Sequence, residues 1–280
     1  MVLSRQLLFR SGIWELARPR HPLTAGHILI RLSDPSTEFN EASAADWLHC
    51  HHLARAALQD VLGAGRCAVM FAHRWHPLGS AVGEPVAESS TPTFHLFARW
   101  EGETTTPGRQ LSLPSHRRVA EPENALEAVD MELRQSIRFF ASGPLSDAHD
   151  LSDAHETPGA HPAPRPSGPH SREPGSGVVR DPKDGPRLVS LDAAQPHCVI
   201  EPPGSAREIA ELQPADMVAI AATLGALPLP GGVSGFSCVA VEAASDEGSV
   251  RIHAVGRSGA ETESPLPALF TFPEVNLALL

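Results

Sequence analysis

The fold of this chain is decided by residues 91–99 (TPTFHLFAR), a stretch whose pattern recurs at residues 249–257 (SVRIHAVGR). Each stretch has polar or small residues at alternate positions, followed by a histidine, two apolar residues, a small residue and an arginine. Alternation with a period of two is typical of a β-strand that has one solvent-exposed face and one buried face. We therefore predict two equivalent strands, which carry His95 and His253.

Each of these strands is preceded by a second matching segment. The first is residues 25–30 (AGHILI), and its counterpart is residues 195–200 (QPHCVI). Two segments that recur in the same order indicate two copies of one unit. We predict a first unit over residues 1–142 and a second over residues 186–280.

The region between the predicted units, residues 143–185, is rich in Pro, Gly, Ser, Asp and His. It contains the direct repeat LSDAHD–LSDAHE at residues 145–156. A stretch of this composition buries too little apolar surface to offset its chain entropy, so we interpret it as a disordered linker. Its histidines could bind a metal weakly, but the composition favours a solvated tether.

The secondary-structure pattern within each unit is strand, strand, helix, strand, strand. In the first unit we predict a helix that starts at Ser43, with Asp46 three residues later, and a second helix over 123–140. The predicted strands are 13–17, 27–32, 67–73, 93–100, 187–191, 197–201, 236–242 and 250–255. Helical turns over 206–212 and a helix over 214–225 complete the second unit. The fold class is therefore predicted as α+β, with antiparallel sheets and flanking helices forming an intrachain pseudo-dimer.

Composition restricts the class of function. The chain has 280 residues, of which 41% are hydrophobic and 20% charged, and these values are typical of a globular protein. Its net charge of −11 disfavours general nucleic-acid binding, although a local site can still hold a small anion. We predict no signal peptide at residues 1–12 and no membrane helix. The four cysteines have no close paired spacing, which favours free thiols and a cytoplasmic location.

Residues 21–30 (HPLTAGHILI) resemble the first hairpin of histidine-triad (HIT) proteins, in which a Pro- and Gly-containing turn precedes a histidine and an apolar strand. The strands that end in Arg99 and Arg257 resemble the signature strand of that family, His-x-His-x-His followed by two apolar residues and often Pro-Arg. Two such units in one chain resemble galactose-1-phosphate uridylyltransferases and dinucleoside-polyphosphate phosphorylases.

This resemblance implies nucleotidyl transfer through a covalent intermediate on the middle histidine of the triad. The triad positions correspond to Thr91, Thr93 and His95 in the first unit and to Ser249, Arg251 and His253 in the second. Only the third histidine is present in each unit, so the resemblance implies a non-standard site without the nucleophile. An alternative register would make His95 the middle residue and Phe97 the third.

His95 and His253 are therefore the candidate catalytic residues. Histidine titrates near neutral pH, so either residue could bind phosphate or act as a general acid–base group. The competing interpretation is that both are hydrogen-bonded structural remnants.

The resemblance also places phosphate contacts in the loop that precedes the first signature strand, residues 75–84 (WHPLGSAVGE). Gly79 and Gly83 would allow a ligand to approach the backbone, and Ser80 could donate a hydrogen bond. The alternative is a loop that merely needs turn residues. Further candidate ligand-binding residues are Thr93, Arg99 and Arg251, of which Arg251 is favoured because it occupies the position of the nucleophile.

A zinc site can be considered at residues 49–52 (HCHH) together with His73 and His76. His49 and His52 would share one helix face, but no Cys-x-x-Cys pair completes a tetrahedral set. We therefore predict no cofactor and do not favour a metal.

The sequence predicts a nucleotide or another phosphorylated small molecule as the ligand and a monomer or homodimer as the assembly. Three hypotheses remain open. The protein could be a transferase or phosphorylase with an altered mechanism, a non-catalytic nucleotide- or partner-binding module, or a repurposed enzyme of a specialised biosynthetic pathway.

Overall fold

The computed structural model describes residues 6–75, 84–85, 92–143, 186–192, 197–229, 231–244, 248–259, 261 and 264–280. Residues 144–185 of the predicted linker lie outside the described residues, and so do Gly79, Ser80 and Gly83 of the predicted phosphate-binding loop.

The described part of the chain contains strands in both predicted units. Their bounds are β1 Leu7–Arg10, β2 Trp14–Ala17, β3 His27–Leu32, β4 Arg66–His73, β5 Thr93–Arg99, β6 Arg187–Asp192, β7 His197–Glu201, β8 Gly235–Val241 and β9 Arg251–Arg257. The helices are α1 Glu41–Leu62, α2 Pro107–Leu111, α3 Glu123–Ser142, α4 Pro214–Ala226, α5 Leu266–Leu269 and α6 Pro273–Leu279. Short 3-10 helices span Ser115–Arg117 and Ile209–Glu211.

The described strands form one nine-stranded sheet in the order β1-β2-β3-β5-β4-β8-β9-β7-β6. Every pair of neighbours is antiparallel. The sheet is continuous between the two predicted units because β4 pairs with β8, from Ala68 opposite Val241 to His73 opposite Phe236. The predicted α+β class with an antiparallel sheet is therefore confirmed.

The first long helix begins earlier than predicted. Asn40 is its N-cap, because the Asn40 side chain accepts a hydrogen bond from the Ser43 N–H while the Ser43 hydroxyl accepts one from the Asn40 N–H. Asp46 takes no part in this cap. Its carboxylate accepts hydrogen bonds from the Ile13 N–H and the Ser11 hydroxyl, and it therefore fixes the turn before β2 against α1.

Helices cover both faces of the sheet, and each face has its own hydrophobic cluster. The long helices α1, α3 and α4 cover one face, where Leu53 and Leu58 of α1 pack with Leu96 of β5. The short helices α2, α5 and α6 cover the other face, where Leu111 and Leu269 pack with the cluster that contains Phe97 and Met70. We call this second face the short-helix face.

The short elements were not predicted. β1 has four residues, α2 five and α5 four, and none of these three segments shows a clear helical or strand period in the sequence. The C-terminal helix α6 has seven residues and was missed for the same reason.

Two further features concern the chemistry of the chain. All four cysteines are free, as the spacing predicted. Among the described residues, no helix combines the length and the apolarity that a bilayer crossing would demand.

One buried histidine makes the fold sensitive to acid. His51 of α1 is fully buried and stacked on Trp47, and neither ring nitrogen has a hydrogen-bond partner among the described residues. Burial lowers the pKa of His51 to about 3. The unfolded chain binds this proton near pH 6.5, so His51 contributes to stability above that pH, and the contribution is lost as the pH falls towards 3.

We therefore expect the His51→Leu variant to lose less stability in acid than the parent protein. Between pH 7 and pH 5 the fall in the free energy of unfolding should be smaller by about 2 kcal/mol. Urea denaturation at the two pH values measures this difference. His52→Leu, at the exposed neighbour on the same helix, should keep the parental fall. An unchanged pH dependence in His51→Leu would contradict the assignment.

Candidate functional site

A row of four side chains crosses the middle of the sheet on the short-helix face. His95 lies opposite Met70, Met70 opposite Val239, and Val239 opposite His253. Directly paired residues of antiparallel strands share a face, so the two candidate histidines lie on one surface. Three strand spacings separate their strands, which places the two histidines about 14 Å apart.

The first histidine forms a pair with the histidine of the predicted hairpin. His27 Nε2 lies 3.0 Å from His95 Nδ1, and the Leu23 N–H donates a hydrogen bond of 3.1 Å to His27 Nδ1. An imidazole nitrogen that accepts a hydrogen bond carries no proton, so a neutral His27 must carry its proton on Nε2. That proton is donated to His95 Nδ1, and a neutral His95 therefore carries its own proton on Nε2.

Both rings of this pair are neutral near neutral pH. Burial lowers the pKa of His27 well below its ordinary value, and a positive charge on His95, Arg18 or Arg118 lowers it further. Burial lowers the pKa of His95 to about 4. Because the Leu23 N–H fixes the direction of both hydrogen bonds, His95 presents a fixed Nε2–H donor.

The second histidine forms the same kind of pair. His197 Nε2 lies 3.3 Å from His253 Nδ1, so the same nitrogens meet as in the first pair. His253 Nε2 in turn lies 3.4 Å from a carboxylate oxygen of Glu274, at the start of α6. Burial lowers the pKa of His253 to about 4, even though the Glu274 carboxylate favours its charged form.

The two pairs differ in their access to solvent. His95 is partly exposed, whereas the side chain of His253 is 0% exposed. The Phe272 ring lies 5.0 Å from His197 and 5.1 Å from His253, and with Glu274 it covers the second pair. The segment that contains Phe272 and Glu274 therefore shields the second histidine pair from solvent.

Arg251 contacts the carboxylate that covers His253. Its Nη1 donates a hydrogen bond of 2.9 Å to Glu274, and its Nε lies 3.4 Å from Glu201. The corresponding residue in the first half, Thr93, lies on β5 opposite Arg31 and is partly exposed. The structure thus brings Arg251 to His253 and leaves a threonine near His95.

The arginines that end the two signature strands form ion pairs within the chain. Arg99 pairs with Glu103, and Arg257 pairs with Glu261 four residues later in the same way. Arg257 also pairs with Glu84. A ligand at Arg99 would therefore have to compete with the Glu103 carboxylate, which already pairs with this arginine.

Glu84, at the end of the predicted loop, is the centre of a buried polar cluster that the sequence did not predict. Its carboxylate accepts hydrogen bonds from the indole N–H of Trp75 at 3.0 Å and from the Ser237 hydroxyl at 2.9 Å. The Trp75 ring lies 5.0 Å from the Arg257 guanidinium. Part of this cluster could have been found in the sequence, because a glutamate follows each strand-ending arginine by four residues.

Metal ligands are not assembled in the described part of the chain. No group of three or more His, Cys, Asp or Glu side chains within it could hold a metal ion. His49 and His52 of the HCHH segment are exposed on α1. His76 lies outside the described residues.

No protein-family model and no curated protein matches this chain. Solved structures similar to it include a hypothetical histidine triad nucleotide-binding protein from Sulfolobus tokodaii and a HIT-like protein involved in cell-cycle regulation from Bartonella henselae. The first is 14% identical with a TM-score of 0.34, and the match covers 53% of this chain and 91% of the other. The second is 14% identical with a TM-score of 0.32, with 47% and 85% covered.

Proposed function

We propose that this chain binds a nucleotide or another phosphorylated small molecule through the His27–His95 pair. The observation that supports this most strongly is Glu274. In the second half, a carboxylate of the chain itself lies 3.4 Å from His253 Nε2 and accepts a hydrogen bond from Arg251. Carboxylate and phosphate oxygens are both anionic acceptors, so Glu274 occupies the position that a ligand's phosphate would take at His95.

We also propose that the two halves are degenerate copies of one HIT-like unit. The order of the strands supports this. From the centre of the sheet to its edges, β4 is followed by β5 and β3 in the first half, and β8 is followed by β9 and β7 in the second half. The matching histidine contacts and arginine–glutamate pairs support it as well. After those pairs the sequence continues in parallel, with residues 103–111 (ETTTPGRQL) resembling residues 261–269 (ETESPLPAL).

The hydrogen-bond chain favours binding over covalent nucleotidyl transfer. A nucleophilic imidazole needs a free lone pair on the attacking nitrogen, whereas His95 Nε2 carries a proton. If the hydrogen bond between the two histidines ran in the opposite direction, a neutral His27 would carry its proton on Nδ1. That proton would face the Leu23 N–H. Thr93 at the nucleophile position has a hydroxyl that needs a base for activation. The proposed role of His95 is therefore that of a hydrogen-bond donor to phosphate.

We expect the His95→Ala variant to bind AMP at least about tenfold more weakly than the parent protein, since a hydrogen bond to a charged group is lost. Isothermal titration with AMP measures this, and adenosine serves as the phosphate-free ligand. His52→Ala, at an exposed helix position, is the matched control and should bind AMP as the parent does. Equal AMP affinity in the parent and in His95→Ala would refute the proposed site.

Turnover separates the binding protein from an enzyme. Incubation with nucleoside polyphosphates and nucleotide sugars should give no product if the chain only binds. Release of a nucleotide product that depended on His95 would instead support a transferase or phosphorylase that uses this residue as an acid–base group. The cytoplasmic location and the monomeric or homodimeric state stay predictions.

A further inference from the structure

A cavity of about 370 Å³ lies on the face of the sheet opposite to the histidine pairs. Phe94 forms part of its wall and precedes His95 on β5, and successive side chains of a strand point to opposite faces. We call it the long-helix cavity, because α4 forms its other wall. Its volume is within the range of pockets that hold small organic ligands.

The α4 wall is made by residues that share one face of the helix. Met217, Ile220, Ala221 and Leu224 line the cavity at spacings of three and four residues. Ala221 has the smallest side chain of the four, so it leaves space between the helix and the sheet. The opposite wall belongs to the first half of the chain, and a junction between two units is a common place for a ligand pocket.

The wall on the sheet side is aromatic. The Phe94 ring lies 5.1 Å from the Phe71 ring and 5.7 Å from the Trp14 ring, and all three residues line the cavity. Trp14 is buried, whereas Phe71 and Phe94 are partly exposed. Aromatic rings that are free on one side favour a further ring in an offset-stacked or edge-to-face arrangement, so this wall suits an aromatic ligand.

The interior of the molecule next to the cavity is apolar as well. A void of about 40 Å³ shares four lining residues with the cavity, namely Phe71, Phe94, Met217 and Ile220. The other side chains around this void are also aliphatic or aromatic. Because voids with such linings hold apolar groups rather than water, the deep side of the cavity offers little to a polar or charged ligand.

The charged groups of the lining do not favour either sign of ligand. Arg74 and Glu38 both line the cavity, and both are exposed. Between them they carry one positive and one negative charge. His73 lines the cavity too, but burial and the charge of Arg74 lower the pKa of His73, which is therefore neutral near neutral pH.

We infer that the long-helix cavity binds an uncharged aromatic molecule about the size of naphthalene, with its rings between Phe94 and the Ala221 face of α4. The inference rests on the shape and the lining of the cavity. It does not depend on phosphate binding by His95, which lies on the other face of the sheet.

Isothermal titration of the full chain with 2-naphthol tests this inference, and saturable binding to a single site is expected. Phenol has one ring fewer and should bind at least about tenfold more weakly, since it buries less apolar surface. 2-Naphthoate has the same two rings and should also bind at least about tenfold more weakly, since its carboxylate would lose water. Absence of saturable 2-naphthol binding, or equal affinity for 2-naphthoate, would overturn the inference.

Two tryptophan variants of α4 locate the binding. Ala221→Trp fills the space between the helix and the sheet and should weaken 2-naphthol binding at least about tenfold. Ala222→Trp is the matched control, because Ala222 is exposed and is not among the described residues that line the cavity. Parental affinity in a folded Ala221→Trp variant would overturn the inference.

Methyl NMR of the parent protein gives the location even if Ala221→Trp fails to fold. Ring currents of bound 2-naphthol should shift the methyl signals of Ile220 and Leu224, which line the cavity. The methyl signals of Leu111 and Leu269, in the cluster on the short-helix face, should stay in place. Shifts confined to Leu111 and Leu269 would overturn the inference. So would a dimer in sedimentation that Ala221→Trp dissociates and that binds no 2-naphthol, because the occupant would then be a second copy of the chain.

Discussion

Replacement of Arg257 by methionine is expected to lower the free energy of unfolding by about 3–5 kcal/mol. Arg257 is 2% exposed and pairs with Glu84, which is also 2% exposed. Methionine would keep the apolar stem but would remove the guanidinium that forms the ion pair with the buried Glu84 carboxylate. The hydroxyl of Ser237 and the indole of Trp75 would remain as donors, but neither carries a charge.

The loss should be large because Arg257 satisfies several groups together. Its Nε donates to Glu261 at 2.9 Å and its Nη1 to the Ser237 hydroxyl at 3.0 Å. A buried ion pair that loses one partner costs far more than the pair itself contributes.

Urea denaturation of Arg257→Met measures this loss. Arg10→Met is the matched control, since the side chain of Arg10 is 61% exposed and its partner Glu15 keeps Arg31 as a second cation. The control should lose no more than about 1 kcal/mol. A loss of similar size in the two variants would show that the buried cluster contributes no more than an exposed pair.

The second large effect is expected for Gly235→Ala. A Cβ atom at Gly235 would lie 2.3 Å from the carbonyl carbon of Arg74 and 2.5 Å from the Trp75 nitrogen. Both are backbone atoms and cannot rotate away, so the start of β8 and the Arg74 turn must separate. Arg74 has a φ of 55° there, which is already an uncommon conformation for a residue with a side chain.

We expect Gly235→Ala to lower the free energy of unfolding by about 3 kcal/mol, as is typical of strong overpacking. The same substitution at Gly225, in α4, is the control because a Cβ atom there meets nothing within 4 Å. Alanine is the better helix former, so Gly225→Ala should raise stability by about 1 kcal/mol. Opposite signs in urea denaturation would support the close approach at Gly235, whereas a neutral Gly235→Ala would contradict it.

The longer strands and helices could be predicted from the sequence because each shows a regular period over enough residues. The bounds of β3 and β7 agree with the prediction, and α4 extends it by one residue. The start of α1 was misplaced because Asn40 and Ser43 are both good capping residues, and only the reciprocal hydrogen bonds identify Asn40 as the cap.

The candidate site was predictable in part. The repeated pattern identified His27, His95, His197 and His253, but the sequence did not show that they pair. The pairs form because β3 lies beside β5 and β7 beside β9, which is a property of strand order. Glu274 could not be predicted, because it reaches His253 from a short C-terminal helix without a sequence pattern.

The pairing of β4 with β8 has a consequence for how the chain can be divided. β8 is buried along its whole length, and half of the residues of β4 are buried too, so neither strand is suited to the edge of a sheet. A half produced alone would present such a strand with unpaired backbone N–H and C=O groups, which is a template for aggregation. The halves therefore protect each other from self-association, and any truncation placed between them would remove that protection.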